Sequence, residues 1–149
     1  MKKKSKIINT AVLTFPALSQ NESLSRSFMS VFLMQANPTV EEISDVKCAV
    51  SEAVTNAIVH GYQGGEGIIK LRVKLTNDMT LITDISDKGC GIEDIEKAQT
   101  PLFTTNSDGE RSGMGFTVMK TFTDKMTVWS KPGKGTRVRL YKRIGRADT

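Results

Sequence analysis

The sequence predicts an α/β protein built as a two-layer sandwich, and three patterns carry that expectation. Val40, Ile43, Val46, Val50, Val54, Ala57 and Ile58 recur at helical spacing. Ile69, Leu71, Val73 and Leu75 alternate with Lys70, Arg72, Lys74 and Thr76, as in a strand with one buried and one wet face. Along the chain the segments run helix pair, strands, loop-rich middle, helix and strands, the order expected when helices are laid on a sheet.

Taken in order, residues 7–14 are apolar and β-branched enough for a first strand, closed by Pro16. Ser19-Gln20-Asn21-Glu22 has capping-box spacing and opens a helix to about residue 36, broken by Asn37-Pro38. At about 100° per residue that helix is expected to turn Leu24, Phe28, Val31 and Phe32 to the core. Arg26, Met29 and Leu33 then face outward. Thr39-Val40-Glu41-Glu42 is a second capping box, opening the long helix that Gly61 stops. Asn77-Asp78 turns the alternating strand back into a partner over 79–86. Short helices are expected over 92–98 and 116–122, and a closing hairpin pairs 125–130 with 136–141 around Pro132-Gly133-Lys134-Gly135.

A chain of 149 residues with 38% apolar and 25% charged content fits one domain spanning 1–149. It holds no run of about 18 apolar residues, so no membrane span is expected. Met1-Lys2-Lys3-Lys4-Ser5-Lys6 before Ile7-Ile8 has the charge of a secretory leader, but Asn9, Thr10 and Thr14 interrupt the apolar stretch; a cytoplasmic location is expected. Cys48 and Cys90 lack the spacing of a disulfide framework or zinc site. The net charge of +5 is unevenly placed: 4 Lys lie in the first six residues and 7 basic residues in 131–149, leaving an intervening body of net −5. Basic ends without interleaved aromatics read as solvated tails, and no direct nucleic-acid partner is expected.

The chemistry starts at Glu52 and Asn56, four residues apart on one face of the long helix. A carboxylate can take a hydroxyl proton and an Asn oxygen can ligand a hard cation, both of which phosphoryl transfer uses. The pair could equally be part of a solvated face, but Cys48, Ala49 and Val59 nearby are small or apolar where long charged chains would then be expected. Asp87-Lys88-Gly89-Cys90-Gly91-Ile92 follows a strand and reads either as an ordinary turn or as a loop whose carboxylate accepts from an adenine amino group. Arg111-Ser112-Gly113-Met114-Gly115-Phe116 opens a helix, where free amides favour phosphate. It is not a Walker A loop, nor a complete dinucleotide fingerprint, because Val118 occupies the last glycine position.

In this order, and with Gly135-Thr136, the three blocks resemble the N, G1 and G2 boxes of the gyrase, Hsp90, histidine-kinase and MutL ATPase superfamily. Pro16-Ala17-Leu18, Asn21-Glu22, Arg26, Pro101-Leu102-Phe103-Thr104-Thr105 and Glu110 extend the resemblance to the sporulation anti-sigma serine kinases within it. The resemblance implies a mixed sheet covered on one face by helices, the Bergerat-type ATP-binding fold, with Mg·ATP under a lid over residues 93–112. It implies Glu52 as general base, Asn56 as the Mg ligand and Asp87 as the adenine reader. Gly89, Gly91, Ile92, Thr104, Thr105, Arg111, Ser112, Gly113, Met114, Gly115, Phe116 and Thr136 then complete the nucleotide site. It further implies a sigma factor and an anti-anti-sigma protein substrate as partners, Arg26 as a partner-contacting residue, and a homodimer. His60, the only histidine, reads as a helix-end cap rather than a phosphoacceptor.

Overall fold

The computed structural model describes residues 5–99 and 114–145. Five strands form one sheet in the order β1-β2-β3-β5-β4: β1 Ile7–Pro16, β2 Ile68–Thr76, β3 Thr80–Asp87, β4 Lys125–Lys131 and β5 Gly135–Arg143. Helices α1 (Gln20–Leu33), α2 (Val40–Asn56) and α4 (Met114–Phe122) cover one face, and the four-residue α3 (Ile95–Ala98) follows β3. The two-layer α/β architecture is the one the sequence predicts.

The mixed sheet is corrected, because all four neighbouring strand pairs are antiparallel. β3 and β4 do run in the same direction, as a connection through α4 requires, but β5 folds back between them and pairs with both. The parallel relationship is thus never one between neighbours.

The alternation in β2 holds as expected, with Ile69, Leu71, Val73 and Leu75 each at most 1% exposed. These side chains meet Val46, Ala49, Val50, Ala53 and Val54 of α2 in the core. Fully burying one such aliphatic side chain contributes about 1.5–3 kcal/mol, so this seam dominates the sandwich. Val40, the first residue of the expected apolar row, is instead exposed in the first turn.

The two capping boxes behave differently. Thr39 is extended (φ −75°, ψ 162°), its hydroxyl accepts from the Glu42 N–H at 3.1 Å, and Glu42 accepts from the Thr39 N–H at 2.8 Å. Ser19 is already helical (φ −58°, ψ −34°), which turns its hydroxyl away from the free amides, and no side-chain cap forms. Glu22, freed from that role, pairs with Arg26 one turn on.

α1 presents a face only partly the one expected: Phe32 is buried and Phe28 packs against the core as predicted, but Leu24 and Val31 do not. Ser25, Met29, Phe32, Leu33 and then Ala36 are buried, while Leu24 and Val31 are 46% and 74% exposed. Both stripes have helical spacing, and the choice turns on Ser25: its hydroxyl donates to the Glu22 carbonyl at 2.6 Å, so burial leaves it satisfied and its small size lets the helix approach closely. Arg26 therefore stands at the margin of the buried stripe, partly exposed, rather than opposite the core.

Candidate functional site

α2 does not stop cleanly at its end. It continues as a π-helical turn, Ala57–Gly61, in which the Tyr62 N–H reaches back to the Ala57 carbonyl at 2.9 Å. One residue is inserted into the helical repeat, a device common at functional sites. The insertion brings Gly61 beneath the end of β3, where a Cβ would lie 2.9 Å from Asp87 Oδ1 and 3.1 Å from Oδ2. Gly61 is thus more than a helix stop. It makes room for the Asp87 carboxylate.

Asp87 ends β3 opposite Thr136 of β5. Burial pushes its carboxyl above the ordinary carboxylate range, while the N–H groups of Gly89 (2.9 Å to Oδ1) and Thr136 draw it back. The loop after it is held from several sides. Gly89 lies so close to Gly61 that a Cβ would be 2.0 Å from the Gly61 carbonyl oxygen, which also accepts from the Cys90 N–H at 2.8 Å. Gly91 has φ +77° and abuts the Lys131 carbonyl, a position open only to glycine. Ile92 N–H donates to Ser130 Oγ at 2.8 Å, which lies 2.7 Å from Thr136 Oγ1. Tyr62 Oη accepts from the Lys88 N–H at 2.7 Å and donates to the Ile68 carbonyl at 2.6 Å, tying the π turn, β2 and this loop together.

Glu52 and Asn56 meet α4 at its first turn. A Cβ on Gly115 would lie 3.2 Å from Glu52 Oε2, 3.2 Å from Asn56 Oδ1 and 3.1 Å from Asn56 Nδ2. Both tips converge on one point because residue 115 has no side chain. Among the described residues Glu52 makes no hydrogen bond or ion pair.

Between Asn56 and Asp87 lies a cleft of about 1110 Å³. Of the residues expected at the site, Asn56, Asp87, Gly91, Ile92, Gly115, Phe116 and Thr136 line it. Glu52, Gly89 and Met114 do not. Glu52 reaches its edge at Gly115, Gly89 supports the wall from behind through Gly61, and Met114 is 41% exposed. Thr104, Thr105, Arg111, Ser112 and Gly113, with most of the expected lid, lie outside the described residues. Sequence reasoning missed Ala53, Ile85 and Val138, which supply an apolar floor, and Lys97 of α3 at the mouth. His60 lines the cleft at the π turn, and its carbonyl accepts from Cys90 Sγ at 3.1 Å.

A family model described as the histidine kinase-like ATPase domain matches residues 15–142. The chain is 53% identical over 137 residues to the anti-sigma F factor of a Thermoanaerobacter species, covering 92% of this chain and 95% of that relative. The chain belongs to the anti-sigma F factor family. The family member from Caldanaerobacter subterraneus subsp. tengcongensis is likewise 53% identical, over 93% of this chain and 96% of its own. A solved structure of the RsbU and RsbW domains of a Mycobacterium tuberculosis protein has the same fold, with a TM-score of 0.67 over 93% of this chain and 33% of that one at 20% identity. Among the described residues no helix is long and apolar enough to cross a membrane.

Proposed function

We propose that the chain is a cytoplasmic serine protein kinase and anti-sigma factor: it binds ATP in the cleft, sequesters a sporulation sigma factor when nucleotide is bound, and phosphorylates a serine of an anti-anti-sigma protein. The observation that carries this reading is the convergence of Glu52 Oε2 and Asn56 Oδ1 on the Gly115 corner of a cleft with Asp87 at its other end. Asp87 would accept from the adenine amino group, and the apolar floor of Ile85 and Val138 would take the base. Glu52 would take the serine proton as the hydroxyl attacks the terminal phosphorus, with the diphosphate leaving.

Magnesium fits this corner, since Mg²⁺ is commonly held by one or two protein oxygens with phosphates and water completing its shell. Asn56 would hold it, and bound there the ion would neutralise phosphate charge. Asn56→Ala is expected to weaken magnesium-dependent ATP binding and therefore to depress sigma binding and phosphorylation together. Magnesium-dependent ATP affinity within about twofold of the parent would remove the metal role.

Incubating the purified chain with Mg·ATP and a candidate anti-anti-sigma protein is expected to yield phosphoserine. Nucleotide-dependent sigma binding without phosphoserine would establish the alternative, a nucleotide-gated binding module. The exposed Leu24 and Val31 of α1 and Val40 of α2 give the helical layer an apolar surface suited to protein partners, and the resemblance places a partner-contacting arginine at Arg26. Arg26→Glu replaces the Glu22 ion pair by a like-charge pair costing about 0.2–0.5 kcal/mol, too little to unfold the helix. It is expected to impair both the sigma and the anti-anti-sigma complexes while sparing ATP affinity. Normal affinity for both partners would exclude Arg26 from the interface, and affinity measurements on one preparation decide it. A homodimer and action of residues 1–149 as one unit belong to the same reading, testable by sedimentation.

A further inference from the structure

The helices cover one face of the sheet, and the other face has a composition that linear order conceals. On β2 it presents Lys70, Arg72 and Lys74, on β5 Arg137, Arg139, Tyr141 and Arg143, and on β4 Lys125, Trp129 and Lys131. The sole acidic side chain the described strands place there is Asp84, buried and held by Arg139 through bonds of 2.6 and 2.9 Å. Seven further cations share the face with no ion-pair partner among the described residues. The cations of β2 and β5 form two rows on either side of β3, roughly 10 Å apart.

The aromatics lie within this field. Trp129 pairs across the ladder with Arg137 and Tyr141 with Lys125, the guanidinium lying 4.3 Å from the indole centroid and the ammonium 5.2 Å from the phenol centroid. Trp129 nevertheless remains 41% exposed. Along the sequence the basic residues appear as a tail without interleaved aromatics, but the hairpin register alternates them.

We propose that this uncovered sheet face binds a single-stranded nucleic acid. Rows of cations suit a phosphodiester backbone, arginine forks match phosphate oxygens, and an exposed indole beside them offers a surface on which a base stacks. A second copy laid over the rows on β2, β5 and β4 would bring like charges face to face, and only the β1 edge of this face, with its exposed Val12, is uncharged. An acidic protein surface would satisfy the charges but make no use of the exposed part of the indole, which Arg137 and Arg139 contact at 4.3 and 5.3 Å while leaving it 41% exposed. The site is distinct from the cleft, because Asp87, Thr136 and Val138 point to the helical side of the same strands.

The test is fluorescence anisotropy of a labelled oligothymidylate with the full chain, with and without saturating Mg·ADP and across a salt series. Binding is expected to weaken as salt rises, with a log–log slope of about −0.7 per phosphate engaged. Trp129→Ala is expected to reduce affinity on the order of tenfold. The pair Arg137→Glu and Arg143→Glu is expected to make the salt slope shallower by at least about 1. Replacing Lys2, Lys3 and Lys4 by Ala should leave most of the affinity in place, and ADP affinity in all variants should match the parent. The proposal is overturned by absence of binding at low salt, by unchanged binding in the Trp129 and arginine variants, by displacement with ADP, or by loss on replacing the three terminal lysines. Equal binding of polyglutamate would overturn it in favour of an acidic protein partner.

Discussion

Glu52→Gln is expected to lower phosphoryl transfer on the order of 10²–10⁴-fold, the usual contribution of a positioned acid or base, while leaving ATP affinity close to that of the parent. The substitution keeps the side chain's shape and removes its capacity to take a proton. Because Glu52 makes no hydrogen bond or ion pair among the described residues and does not form the cleft wall, nothing structural should be lost with its charge. Its Oε2 lies 3.2 Å from the point that a Cβ on Gly115 would occupy, at the cleft's edge rather than its interior, where an incoming hydroxyl would arrive. Sigma binding should persist in the same variant. Single-turnover phosphoserine formation, measured beside a nucleotide titration, separates the two effects, and an unchanged transfer rate would take Glu52 out of the chemistry.

Gly89→Ala is expected to damage the site severely although it adds a single methyl group. The new Cβ would lie 2.0 Å from the Gly61 carbonyl oxygen and 2.2 Å from its carbon, and both are backbone atoms that no rotamer change can move. Relieving that clash separates the π turn from the Asp87 loop, breaking the Cys90 N–H bond to Gly61 and shifting the Gly89 N–H that Asp87 accepts. Overpacking together with a lost hydrogen bond amounts to about 3 kcal/mol. The urea midpoint and the ATP affinity should therefore fall together. Gly64→Ala is a useful contrast: φ is +76° there but no atom lies within 4 Å, so only the left-handed backbone penalty of about 1–2 kcal/mol applies. Equal stability of the Gly89→Ala protein and its parent would contradict the contact.

Much of the fold is legible in the sequence because its signals are local. Alternation over 69–75 and the Thr39-Glu42 box each act within a few residues, and both appear as expected. α1 was ambiguous for a physical reason: two stripes of equal period compete, and the satisfied hydroxyl of Ser25 that decides between them appears only in the folded helix. The site divides the same way. Asn56, Asp87, Gly91 and Thr136 fall in recognisable blocks, whereas Gly61, Ile85 and Val138 enter through strand register and an inserted helical residue. The basic face is the extreme case, since which side of the sheet Arg137 and Trp129 share depends on pairing that composition does not encode.

The position of β5 has a consequence for how the protein is made. This strand lies between β3 and β4 although it leaves the ribosome after both, so the sheet stays divided into β1-β2-β3 and an unpaired β4 until residues 135–143 have emerged. Until then β3 exposes its unpaired backbone edge, and Asp87 lacks the Thr136 N–H that β5 contributes. Nucleotide therefore cannot help the nascent chain fold, because the pocket and the central strand are completed by the same late segment. A ribosome stalled before that segment emerges would carry a chain that ATP does not protect from proteolysis, and release of the last strand would bring stability and ligand binding in one step.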